Sequence, residues 1–112
     1  MKRTLIVGLL VVLASAGAAA HSRLGTSVPA NGAVLARMPA EIVLSFSKRL
    51  RLTRVRMVRD GGRAVDLEAA KTCGTRFAIP VKDVGRGAYR IEWRALAADG
   101  HAMRGAFSFR VK

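Results

Sequence analysis

Apolar and polar residues alternate along much of this 112-residue chain. Ile42, Leu44 and Phe46 fall on one side of residues 41–47, and Glu41, Val43 and Ser45 on the other. Tyr89, Ile91, Trp93 and Ala95 alternate with Arg90, Glu92 and Arg94, and Phe107, Phe109 and Val111 with Ser108 and Arg110. Val55 and Met57 stand against Arg54 and Arg56, and Val65 and Leu67 are expected to point inward on a following strand. A period of two sends successive side chains to opposite faces, so each stretch predicts a strand with one buried face.

Turn chemistry separates these stretches. A short strand over residues 23–28 ends at Pro29, and Pro29-Ala30-Asn31-Gly32 reads as a turn. Val34 and Leu35 are expected to pack back on the core. Pro39 opens the strand over 41–47, and the basic run 47–52 reads as a connection without a defined shape. Asp60-Gly61-Gly62 signals a hairpin. A further strand over 75–79 precedes Pro80, and residues 82–87 form a loop into the Tyr89 strand. About seven short strands with no helical period predict an all-β fold, an antiparallel β-sandwich or small barrel, with the sandwich favoured.

The first twenty residues follow a different pattern. Lys2 and Arg3 precede an uncharged run over 5–13, and small residues lead to Ala18-Ala19-Ala20. This is the layout of a secretory signal peptide cut after Ala20. The apolar run is too short, and too soon interrupted by Ser15 and Gly17, for a membrane anchor. Residues 21–112 are then one exported domain, 92 of the 112 residues. Twenty basic residues less Lys2 and Arg3 leave 18 against seven acidic ones, a net charge of +11. The arginines are spread through the chain and read as solvated outer faces of strands. Cys73 is the single cysteine, so an intrachain disulfide is excluded. Its plain reading is a buried thiol, with an intermolecular cross-link or a soft metal ligand as alternatives.

Cleavage after Ala20 makes His21 the first residue of the mature chain. A terminal histidine offers its α-amine and its ring Nδ1 to one ion, closing a chelate ring. The amine titrates near about 8 and the ring near about 6.5, so a strongly Lewis-acidic ion can displace both protons at neutral pH. Asp99-Gly100-His101 on its own reads as a surface turn. In an extended backbone Asp99 and His101 would project to the same side, with Gly100 allowing the chain to bend. The chain has two histidines, and each stands where a ligand has an independent reason to be. His21 amine and ring, the His101 ring and the Asp99 carboxylate suit Cu(II), which prefers nitrogen-rich tetragonal sites.

These residues also carry a resemblance. His21, the run 27–32 (SVPANG), the run 39–47 (PAEIVLSFS), the run 87–94 (GAYRIEWR), Asp99-Gly100-His101 and the run 105–109 (GAFSF) occur in the order and spacing of the CopC family of periplasmic copper-binding proteins. The similarity extends over residues 21–112. It implies a Greek-key β-barrel akin to an immunoglobulin-like sandwich, binding Cu(II) through His21, Asp99 and His101 without catalysing a reaction. It further implies a periplasmic location and, as a partner, an inner-membrane copper transporter of the CopD kind. Two departures stand out. The family commonly places a glutamate near the copper where this chain has Lys48. A methionine-rich segment for Cu(I) is lacking, since Met38, Met57 and Met103 are dispersed.

The function expected is a monomeric Cu(II) carrier or buffer for copper resistance, not an enzyme. A basic module for polyanions is one alternative. The chain has few aromatic residues, most at core positions, and so lacks a stacking platform for single-stranded nucleic acid. A copper-dependent oxidative enzyme using the His21 brace is the other, and it would need an open copper position that a bound carboxylate tends to occupy.

Overall fold

The computed structural model describes residues 24–112; the signal peptide reading and His21 lie outside the described residues. The alternating stretches form seven strands: β1 (Leu24–Val28), β2 (Ala33–Leu35), β3 (Glu41–Arg59), β4 (Ala64–Leu67), β5 (Gly74–Pro80), β6 (Gly87–Ala97) and β7 (Ala102–Val111). No helix occurs among the described residues.

β3 departs most from the sequence reading. The basic run expected to connect two strands is itself strand, and β3 runs unbroken for 19 residues. Its first half pairs with β1 and β5, and its second half with β6 and β4. The exposed residues Ser47, Lys48 and Arg49 mark the crossing, where pairing with β5 jumps from Ser45 to Leu50. A second irregularity follows: Leu52 pairs with Ala95 and Arg54 with Arg94, leaving Thr53 as an extra residue. A bulge of this kind reverses which positions face inward. Buried positions are therefore even-numbered at Ile42, Leu44 and Phe46 and odd-numbered at Val55 and Met57.

One curled sheet results, with hydrogen-bonded order β1-β3-β6-β7-β2 and with β4 and β5 also on β3. β1, the start of β3 and β5 make one wall, while β4, the end of β3, β6, β7 and β2 make the other. All pairings are antiparallel except that of β2 with β7. Ile42, Leu44, Ile79 and Ile91 have no exposed surface, and Phe46 packs edge-on against Trp93 with centroids 5.0 Å apart. Each such side chain contributes about 1.5–3 kcal/mol on burial. Gly105 stands opposite Trp93. A Cβ at Gly105 would lie 2.5 Å from Trp93 Cζ2, so this strand position has to lack a side chain for the indole to lie over it.

Three inward assignments need correction. Val65 is 48% exposed and Val34 55% exposed, because β4 and β2 are edge strands that each have one neighbour. Leu67 and Leu35 on the same strands do pack against the core. Cys73 is exposed rather than buried, since it precedes β5 in an irregular stretch.

Candidate metal centre

β6 and β7 form a hairpin whose tip carries Asp99 and His101. The strand does not run extended through them, as the sequence suggested. Ala97 is the last residue of β6, and its N–H donates to His101 O at 2.9 Å while its carbonyl accepts from Gly100 N at 2.9 Å. Gly100 sits at φ +90°, in the region glycine alone enters without strain. Asp99 Oδ1 accepts from the His101 backbone N–H at 3.1 Å, and Asp99 Oδ2 lies 2.8 Å from His101 Nδ1. A carboxylate that caps its own turn two residues on is the usual reason for aspartate at such a site. The tight turn brings the two donors together more closely than an extended segment would.

The side chains of Asp99 and His101 are 66% and 78% exposed. The Asp99 carboxyl is held below the ordinary carboxylate range, first by the His101 backbone N–H and then by the His101 ring. Asp99 is thus a carboxylate at neutral pH. When Asp99 Oδ2 accepts from Nδ1–H, the lone pair of His101 Nε2 faces outward as a ligand, oriented by the carboxylate. The same separation also suits two neighbouring ligands of one ion, since donors about 2.0 Å from a metal and at right angles are about 2.8 Å apart.

The hairpin tip borders a hollow of about 430 Å³ whose lining includes Phe46, Lys48, Arg49, Asp99, His101 and Met103. Lys48, the position where a glutamate was expected, is therefore on the rim of the Asp99–His101 site. Cys73 is absent from this lining. Arg49 leans toward the Cys73 carbonyl, with Nη2 3.5 Å from the oxygen. Among the described residues no three His, Cys, Asp or Glu side chains converge. The pair Asp99–His101 thus needs a donor from elsewhere to complete a metal site. His21 lies outside the described residues.

The architecture and site define a class: an all-β domain with an exposed imidazole–carboxylate pair on a hairpin tip beside a positively lined hollow. The CopC domain profile matches residues 24–112. Copper resistance protein C of Xanthomonas campestris pv. juglandis is 34% identical, the match covering 97% of this chain and 94% of that one. Its namesake from Pseudomonas syringae pv. tomato is 33% identical over 100% of this chain and 98% of its own. The crystal structure of CopC from Methylosinus trichosporium OB3b superposes with a TM-score of 0.71 at 21% identity, covering 82% of this chain and 94% of that one. PcoC, a methionine-rich copper resistance protein from Escherichia coli, gives a TM-score of 0.59 at 28% identity, covering 80% and 97%. The chain belongs to the CopC family.

Proposed function

We propose that this protein is a periplasmic Cu(II) carrier or buffer, without catalytic activity, that holds the ion with the His21 amine and ring, His101 and Asp99. The observation that carries this reading is the pairing of Asp99 and His101 at 2.8 Å on an exposed hairpin, where the described residues supply no third donor. The start of β1 supplies a reason to look to His21. Leu24 pairs with Phe46, which lines the same hollow as Asp99 and His101. Three residues of chain reach at most about 10 Å, enough for residue 21 to meet a hollow bordered at residue 46. Structural metal sites are closed, whereas donors as exposed as these leave the ion open to exchange, as a carrier or buffer requires. The names of the copper resistance relatives support copper as the cargo, and the set of nitrogen and oxygen donors supports the divalent ion. Delivery to or from an inner-membrane transporter, by a monomer, completes the proposal.

Copper titration of protein beginning at His21, set beside protein with one extra residue ahead of it, tests the brace. An added residue turns the amine into an amide and removes both that ligand and its chelate ring. Affinity at least a hundredfold weaker is expected for the extended form. Equal affinity would remove His21 from the site.

A further inference from the structure

On the outer face of the second wall, Arg54, Arg94 and Arg104 stand in one row. Arg54 on β3 is the register partner of Arg94 on β6, and Arg94 is the partner of Arg104 on β7. Adjacent strands are about 4.8 Å apart, so three guanidinium-bearing positions span about 10 Å. Like charges directly opposite one another destabilise a sheet. Carboxylates neutralise part of the charge on this face. Asp66 holds Arg54 at 2.9 Å, and Glu92 holds Arg56 at 2.7 Å and Arg90 at 3.2 Å. Among the described residues Arg94 and Arg104 have no ion-pair partner. Five arginines, Arg54, Arg56, Arg90, Arg94 and Arg104, line a hollow of about 480 Å³, separate from the one at the hairpin tip.

We propose that this hollow binds a compact polyanion of the phosphate class, with Arg94 and Arg104 as its principal contacts. A volume of this size accommodates a small ligand. Guanidinium groups meet phosphate oxygens two at a time, and a linear polyphosphate group delivers several charges within the span of the row. The carboxylates of Asp66 and Glu92 hold Arg54 and Arg56 in place while leaving Arg94 and Arg104 for the ligand. Besides the arginines and Glu92 the lining consists of Trp93, Gly105 and Ala106, and with Trp93 buried the charged groups dominate what a ligand meets. Stacking bases would find no aromatic face, because Trp93 is 2% exposed and packs on the core side. The phosphate chemistry is shared by a free polyphosphate and by an anionic lipid headgroup.

Inorganic tripolyphosphate and phosphatidylglycerol vesicles are the two probes, each titrated into copper-free protein at about 100 mM salt. Amide resonances of residues 90–94 and 104–106 should shift with tripolyphosphate, and R94Q/R104Q should weaken its binding at least tenfold. The control R37Q/R76Q removes the same charge from exposed positions outside the hollow and should weaken binding less than threefold. R94Q/R104Q should melt no lower than the parent, since it relieves opposed charges. Vesicle binding that depends on Arg94 and Arg104 where tripolyphosphate fails would support the site with a lipid headgroup as the source. Equal weakening in both double variants would overturn the proposal in favour of unspecific charge attraction. So would binding of neither probe, or tighter binding of a polyglutamate peptide, which would indicate the carboxylates of a protein partner.

Discussion

Asp99 Oδ2 and His101 Nδ1 face each other at 2.8 Å across Gly100, whose backbone stands at φ +90°. The turn, more than either strand, sets this separation, since the His101 N–H also donates to Asp99 Oδ1.

His101→Ala should therefore leave the fold intact and weaken Cu(II) binding at least tenfold, because a side chain 78% exposed contributes little packing. The d–d absorption and paramagnetic resonance of the copper complex should move toward fewer nitrogens. Asp99→Asn keeps an oxygen for the turn and should lose less affinity. Gly100→Ala meets no steric obstacle but strains the backbone, and should lower stability by about 1 kcal/mol while loosening the pair. An unchanged titration and spectrum in His101→Ala would move the site elsewhere.

Gly105→Ala examines the core beneath the site. The new methyl would lie 2.5 Å from Trp93 Cζ2 and 2.7 Å from Cε2, well inside contact distance. Overpacking of this kind costs about 1–3 kcal/mol. Chemical denaturation should show the loss, and tryptophan emission should shift to the red as the indole is displaced. Parent-like stability with unshifted emission would mean that the sheet relaxes at Gly105 without cost.

Alternation made the cores of β6 and β7 legible, because Tyr89, Ile91, Trp93, Phe107 and Phe109 keep one parity from end to end. It failed on β3, where Ser47, Lys48 and Arg49 are all exposed and Thr53 reverses the parity, so that one strand reads as two with a basic linker. Val34 and Val65 misled because alternation cannot tell an edge strand from an interior one. The Asp99–His101 pair was legible as chemistry but not as a turn, since its geometry comes from hydrogen bonds within the tip. Lys48 at the rim was reached through the family resemblance. The row Arg54, Arg94 and Arg104 was hidden, because register between strands 40 and 10 residues apart has no signature in the arginine spacing.

Glu92 should make stability depend on pH. Its carboxyl is held below the ordinary 4.5, chiefly by the hydrogen bond from Arg56 and further by Arg90. A group whose folded pKa is depressed contributes fully above its unfolded pKa, and the contribution is lost as pH falls through the folded value. With Glu92 32% exposed, solvent screening limits this to about 1 kcal/mol or less. Glu92→Gln should be less stable than the parent at neutral pH, and the gap should close in acid, as pH falls through the lowered folded-state pKa of Glu92. A gap of equal size at both pH values would assign the loss to packing.

Lys48 tests how the rim of the metal site is charged, on the reading that Cu(II) is held by His21, Asp99 and His101. Lys48 lines the same hollow as Asp99 and His101, and the exposed crossing of β3 holds its backbone there. A cation at this place raises the energy of a bound divalent ion. At an effective dielectric of about 20, two unit charges about 8 Å apart interact by about 2 kcal/mol before salt screening. The divalent charge enlarges this, whereas the flexible lysine stem carries the ammonium out into water and reduces it. Lys48→Glu should tighten Cu(II) binding about tenfold, on the order of 1.4 kcal/mol, and more at low salt. Lys48→Gln separates the two ways this can arise. If loss of repulsion dominates, Gln recovers about half of the gain on a logarithmic scale and the copper spectrum stays as in the parent. If Glu becomes a ligand, Gln recovers little and the spectrum changes in Lys48→Glu alone. Titrations at low ionic strength in which both variants match the parent would show that the ammonium already stands clear of the ion.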